Sequence, residues 1–453
     1  MADETLSERL ARHHATLRFN DIPAAVIEAA KLHILDTLGC VLAGSQLEPG
    51  RRAYNLAVAT ADHDAMLLGS TARAPCLDAA QAMAVAAHCG EMDDIHSASG
   101  TCIGAMIVPA LIAAAQKNGG TGSGFLEAIV AGYETTARVG LAIEAPRLFA
   151  RGWWPSTVCG AFGVAAAAAK FSGWPSEKIV NALGIASLFA GGMITGGAEG
   201  ATARHLIFGH AAQNGLRAAM AVEAGFIGPK RAFEDPRGFC LTLCAAPKWE
   251  YLENLDSYFL PEVAFKPYPC ARQLHAGVEA LLTLIQRHSI VTSSIREITL
   301  SLPTANAGMV NRPEPPQNRA AALGSGQYVV AAAAVSGKMD LACFEDAMIH
   351  GAEVQRLLTR VKVEAESDLD RYFPQSWPGR VRVQLEDGTS HTNEIIVPKG
   401  ETGHPMPRRE VEEKFISLAA PIIGDERAGS VVREVECLEQ RESLRSLLSA
   451  LGA

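Results

Sequence analysis

Aromatic side chains make up only 6% of the 453 residues, and alanine dominates the apolar composition instead. Sandwiches and barrels draw on β-branched and aromatic residues, so their scarcity argues against an all-β chain and for closely packed helices. Basic clusters are missing too, and the formal net charge is -9. Counterion release needs a basic face, so no nucleic-acid partner is expected, and an anionic ligand must meet its positive charge locally. The longest apolar stretch, Cys102–Ala115, contains Pro109 and falls short of the ~20 residues of a membrane span. No membrane association is expected. The charged N-terminus, MADETLSERLARHHATL, has no apolar centre, so no signal peptide is read and a cytoplasmic location is expected. Ten cysteines are scattered without paired spacing, as in chains that keep reduced thiols.

Signature motifs are missing as well. Gly191–Gly197 and Gly324-Ser-Gly326 are glycine-rich, but neither completes GxGxxG after a strand or supplies the GK[ST] of a phosphate loop. His205 and His210 stand five apart, Cys240 and Cys244 have no partners at zinc or iron–sulfur spacing, and HExxH and CxxC do not occur. No serine lies in a GxSxG elbow. Neither metal nor cofactor is therefore expected, and any catalysis must use ordinary acid–base side chains.

What the chain does have is a helical apolar period. It runs through Asp21–Ala43, Leu77–Cys89, Gly104–Lys117, Gly124–Leu141, Val158–Phe171, Ser176–Ala190 and Gly209–Ala224. The first 265 residues thus read as all-α, and the run Ala165–Ala169 would let helices approach closely. After Lys266 the pattern becomes mixed. A helix over Arg272–His288 precedes alternating strands at Ile298–Leu302, Val361–Val363 and Val381–Leu385, and the last of these turns through Asp387-Gly388 into Ile395–Val397. Helical segments near Tyr328–Val335 and Phe344–Leu358 intervene, and the chain looks helical again from Pro407. The expected architecture is mainly α: an all-helical domain over 1–265 and a smaller α+β domain over 266–406, with the helical stretch 407–453 either rejoining the first domain or standing apart.

Two polar clusters stand out. Glu91-Met-Asp93-Asp94-Ile-His96 leads to Cys102 between two apolar runs, where proximity can tune pKa values. A capping turn would use the same residue types. The second cluster, Lys266-Pro-Tyr-Pro-Cys270 with Arg272 and His275, falls at the proposed domain boundary, a favoured place for a ligand cleft. An ordinary linker is the alternative.

At these clusters the chain resembles the MmgE/PrpD family, which includes 2-methylcitrate dehydratase, cis-aconitate decarboxylase and iminodisuccinate epimerase. The strings that carry the likeness run in order: Leu35-Asp-Thr-Leu-Gly39, Asp93-Asp-Ile-His96, Gly132-Tyr-Glu134, Gly160-Ala-Phe-Gly163, Ala211-Ala-Gln213, Arg237-Gly-Phe239 and Lys266-Pro-Tyr-Pro-Cys270. The resemblance implies a large helical domain completed by both termini and a smaller α+β domain. It also implies a cleft site between them, a homodimer, and cofactor-independent chemistry on small anionic polycarboxylates.

The departures matter as much. Where dehydratase and decarboxylase members have DFDDTH, this chain has Glu91-Met-Asp-Asp-Ile-His96, so Glu91 and Ile95 replace the acid and threonine. Cys102 and Trp154 fall on usual histidines, Arg204 on a lysine and Ile207 on another histidine, while Lys266 and Tyr328 keep matching residues. The leading expectation is an iminodisuccinate epimerase-like isomerase that removes and returns a proton beside a carboxylate. A dehydratase or decarboxylase-type lyase is the alternative, and a non-catalytic carboxylate binder is a third reading. His96, Cys102, Lys266 and Tyr328 are the expected proton carriers. Asp93, Asp94, Trp154, Arg204 and Arg272 are the expected substrate contacts, the arginines because guanidinium stays protonated and grips carboxylate in a fork.

Overall fold

A computed structural model describes residues 4–58, 64–196 and 199–452. The structure is 61% helical, and among the described residues all but one small pair of strands lie between 295 and 395. Gly197 of the glycine-rich stretch and the first three residues of the charged N-terminus lie outside the described residues.

Among the described residues the longer helices of the first part are α1 (Leu6–Thr16), α2 (Ala24–Ser45), α3 (Glu48–Ala57), α4 (Cys76–Cys89), α5 (Gly104–Asn118), α6 (Gly122–Ala142), α7 (Pro155–Phe171), α8 (Ser176–Phe189) and α9 (Leu206–Glu223). All but α1 and α3, which the apolar period did not mark, start and stop within a few residues of it. Thr5 caps α1 in a reciprocal box with Glu8, and Thr121 caps α6. Helices α4, α5 and α7 are buried over most of their circumference, so their apolar residues go all round rather than forming a stripe. Small residues make this packing feasible: a Cβ added at Gly163 of α7 would lie 1.9 Å from Thr136 Oγ1 of α6. One departure from the all-helical reading is a two-residue antiparallel ladder, Ala65–Met66 with Arg73–Ala74. It is too short for alternation to register.

The apolar core changes hands between Ala264 and Cys270. Residues from Leu17 to Ala264 join with those of the C-terminal helices and Trp377 in one cluster, flanked by a smaller helical cluster of residues between Leu6 and Leu255, and residues from Cys270 to Val383 form the second main cluster. The second cluster sits between α10 (His275–His288), α11 (Gly326–Ser336) and a four-stranded sheet. The strands are β1 (Ile295–Leu302), β2 (Val361–Ala365), β3 (Gly379–Leu385) and β4 (Ser390–Ile395), in the spatial order β2-β1-β3-β4. β1 pairs parallel with β2 and antiparallel with β3, whose hairpin to β4 aligns Gln384 with Ser390. The chain then returns to the first cluster through α12 (Arg408–Ile423), which packs on α2, and ends with α13 (Asp425–Glu436) and α14 (Arg445–Ala450).

Two local expectations change. The hairpin is present, but β4 precedes Ile395–Val397 because it is a polar edge strand, Ser390-His-Thr-Asn-Glu-Ile395, alternating between exposed and half-buried residues. Phe344–Leu358 is two short helices, Asp346–Ile349 and Ala352–Leu358, interrupted at Gly351.

Candidate functional site

A narrow cleft with a cavity of about 70 Å³ opens where the two cores meet. Glu91, Ile95, Cys102, Trp154 and Arg204 line it from the helical side, and Lys266, Arg272, Gln273, Met309 and Arg312 from the other.

The wall carrying Glu91 is a turn between buried helices. After α4 ends, Glu91 takes a left-handed backbone conformation, φ 52, an uncommon arrangement for a side chain with a Cβ that clusters at functional sites. The turn is then held by main chain. Ile95 N–H donates to Ala264 O at 2.9 Å and Ala264 N–H returns a bond to Ile95 O at 2.7 Å, while His96 N–H donates to Thr101 O. Two residues beyond Ala264 the chain delivers Lys266 into the space behind Glu91. Phe265 N–H donates to Gly400 O, and at Gly400 (φ +97) a Cβ would stand 2.0 Å from Phe265 O, so only glycine permits this approach.

The charges within are densely paired. Lys266 Nζ lies 3.4 Å from Glu91 Oε2, 3.3 Å from Asp93 Oδ1 and 3.7 Å from Cys102 Sγ. Arg204 donates to Glu91 Oε1, and its guanidinium lies 5.1 Å from the centre of the Trp154 ring. Burial alone would raise the Glu91 carboxyl, but His88, Lys266, Arg204 and His205 around it hold it well below the usual carboxylate range. Burial likewise works against the charge on Lys266, yet Asp93, Cys102 and Glu91 keep its ammonium protonated well past its ordinary value. The Cys102 thiol is pushed far up by burial, against the pull of Lys266 and with the help of Asp93, Glu91 and Asp94. A neighbouring cation is present, but burial and three carboxylates outweigh it, so Cys102 faces the cleft as a neutral thiol.

Lys266, Cys102, Asp93, Arg204, Trp154 and Arg272 come together around this space. Arg272 forms an ion pair with Glu401 at 2.7 Å, which in turn accepts from Ser97. The Nε atoms of Arg204 and Arg272 are buried without a hydrogen-bond partner. Three expected residues are elsewhere. Asp94 points away from the cleft, accepting from Tyr133 at 2.6 Å and from the N–H groups of Ile103 and Gly104 at the start of α5, with His33 3.0 Å away. His96 pairs with Ser99 and lines two other grooves, away from this cleft. Tyr328 is buried in the second core, its hydroxyl donating to Cys343 O. Ile207 is half-buried against the first core.

Sequence reasoning passed over His88, Ser156, Gln273, Arg312 and Trp377, all of which line the cleft. The one available signal was spacing: His88 falls three residues before Glu91, at the end of an apolar helix. Among the described residues one grouping has metal-ligand proximity, the donor atoms of His88, Asp93 and Cys102, within 4.8 Å of one another. The Lys266 ammonium already supplies a cation against two of them.

Residues 8–252 match the MmgE/PrpD N-terminal domain and residues 268–440 the MmgE/PrpD C-terminal domain. The chain belongs to the MmgE/PrpD family. Among its relatives, a cis-aconitate decarboxylase-like protein of Aspergillus oryzae is 29% identical, over 96% of this chain and 95% of the relative. A cis-aconitate decarboxylase of Aspergillus terreus is 27% identical over 97% and 94%. The human cis-aconitate decarboxylase is 27% identical over 99% and 95%. These MmgE/PrpD relatives bear the names of lyases, whereas the leading expectation was an epimerase. In this member no helix among the described residues is long and apolar enough to cross a membrane.

Proposed function

We propose that the protein is a cofactor-independent lyase that decarboxylates a small polycarboxylate of the cis-aconitate class. The observation that carries this reading is that the proton-bearing groups at the cleft occupy one patch. Cys102 Sγ is 3.7 Å from Lys266 Nζ, and the donor atoms of His88 and Cys102 lie within 4.8 Å. The rest of the lining includes Arg272, Arg312, Gln273 and Met309, none of which exchanges a proton at neutral pH. Epimerisation takes a proton from one face of a carbon and returns it to the other, so it needs proton carriers on both sides. Tyr328 and His96, which would have supplied the second side, lie elsewhere. Decarboxylation needs a proton delivered to one face only.

In this reading Lys266 and the Nε groups of Arg204 and Arg272 hold the carboxylates that remain. They stabilise the negative charge that builds on the carbon skeleton as the C–C bond breaks. Cys102 and Trp154 give the pocket a neutral thiol and a broad apolar wall, and so select an acid of different outline from one that fits two histidines. The relatives' names support the same class of chemistry.

Proton NMR in deuterium oxide tests the assignment, with cis-aconitate, 2-methylcitrate and iminodisuccinate stereoisomers as separate substrates. Carbon dioxide release with one solvent deuterium in the product is the expected outcome. Interconversion of stereoisomers with no loss of carbon dioxide or water would replace the lyase with an epimerase.

A further inference from the structure

We infer that His88, held by Asp93, delivers the proton to the reacting carbon, a role that rests on the lyase reading above. His88 ends α4, where its ring lines the cleft. Its Nδ1 bonds to Asp93 Oδ2 at 2.9 Å, and its Nε2 is buried with no hydrogen-bond partner. The nearest carboxylate oxygen to Nε2, Glu91 Oε1, stands 3.6 Å away. The ring has little freedom to turn: it stacks on Phe208 with centroids 3.4 Å apart and meets the Trp154 ring edge-on at 5.8 Å. A carboxylate fixing one imidazole nitrogen while the other faces a substrate space is the arrangement that orients a general acid.

The neighbouring groups are poor alternatives. Asp93 divides its oxygens, Oδ2 to His88 and Oδ1 to Lys266, so the lysine is committed to charge balance. Its ammonium, like the Cys102 thiol, is held far from release of a proton at neutral pH. Imidazole is the group whose ordinary titration lies near physiological pH.

The step balances. The bond to the departing carboxylate breaks and its electron pair stays with the skeleton, spreading toward a retained carboxylate. Carbon dioxide leaves, the carbon takes the Nε2 proton of the imidazolium, and the neutral imidazole recovers a proton from solvent water.

The test compares His88→Asn and Asp93→Asn with the wild-type protein. Expected is a fall in kcat of about 10²-fold or more for His88→Asn, with little change in KM and unchanged calorimetric binding of the unreactive propane-1,2,3-tricarboxylate. Added free imidazole should restore part of the rate. Asp93→Asn should lower kcat without imidazole rescue. A His88→Asn kcat within about tenfold of wild type overturns the proposal, as does a loss that tracks weakened tricarboxylate binding and resists rescue. If the wild-type protein turns over none of the acids, the lyase reading fails, and His88 is judged separately by diethyl pyrocarbonate labelling and mass spectrometry. Protection of His88 by propane-1,2,3-tricarboxylate keeps its ring at the ligand, and labelling indifferent to that acid overturns the assignment.

Discussion

Asp93 and Asp94 are adjacent in the chain and both fully buried, yet they serve different ends. Asp93 turns toward the cleft and is bracketed by His88 and Lys266. Asp94 turns into the helical core and ties Tyr133, His33 and the start of α5 together. Gly104 shows how tightly that second knot is drawn, since a Cβ there would lie 2.4 Å from Thr37 Oγ1 and 2.8 Å from Asp94 Oδ2. One residue of register therefore separates chemistry from architecture, and composition alone gives no hint which acid does which.

The sharpest way to break the comparison is to remove the architectural member. Asp94→Ala leaves a buried hydroxyl, an imidazole and two N–H groups without their acceptor and should cost about 3–5 kcal/mol, read as a lowered urea midpoint. Burial pushes the Asp94 carboxyl up, but the bonds from His33, Tyr133 and Gly104 bring it below its ordinary 3.8. Because the folded value is the lower one, its contribution is present above about pH 4 and fades as pH falls through the folded pKa. The stability gap between wild type and Asp94→Asn should narrow below that pH.

Next in size is Lys266→Met. The structure buries the lysine against Glu91 and Asp93, so the variant should lose turnover and also about 3 kcal/mol of stability. A smaller effect is expected from Cys102→Ser, which keeps a neutral donor beside Lys266. Its kcat should stay within about tenfold of wild type, and a larger fall in a stopped-flow assay would restore the thiol as a proton carrier. Least affected should be Tyr328→Phe, which loses one buried hydrogen bond worth about 1 kcal/mol, with turnover unchanged.

The helical framework was legible because α2, α4, α5, α6 and α7 carry long apolar runs whose ends coincide with Gly, Pro or Thr. The strands β2 and β3 were legible for the matching reason, a two-residue alternation set by one buried face, and β1 because its apolar residues alternate with Thr and Ser although both faces are buried. β4 was displaced in the reading because an edge strand with no fully buried residue leaves no apolar trace. At the site, Cys102, Trp154, Arg204, Lys266 and Arg272 were found through local clusters and family likeness. His96 and Tyr328 were misplaced relative to the cleft because a motif position specifies a backbone location and not the direction of a side chain. His88 was missed for the opposite reason: its partners, Asp93, Phe208 and Trp154, converge only after α4, α7 and α9 have packed.

The paired main-chain bonds between Ile95 and Ala264 have a consequence for engineering. Because the strap that registers Lys266 against the acidic turn is made of peptide groups, it is indifferent to what projects from position 95. The side chain at 95 is constrained separately, by its burial in the first core, so Ile95→Thr should keep the strap and give up only buried apolar packing beside the cleft.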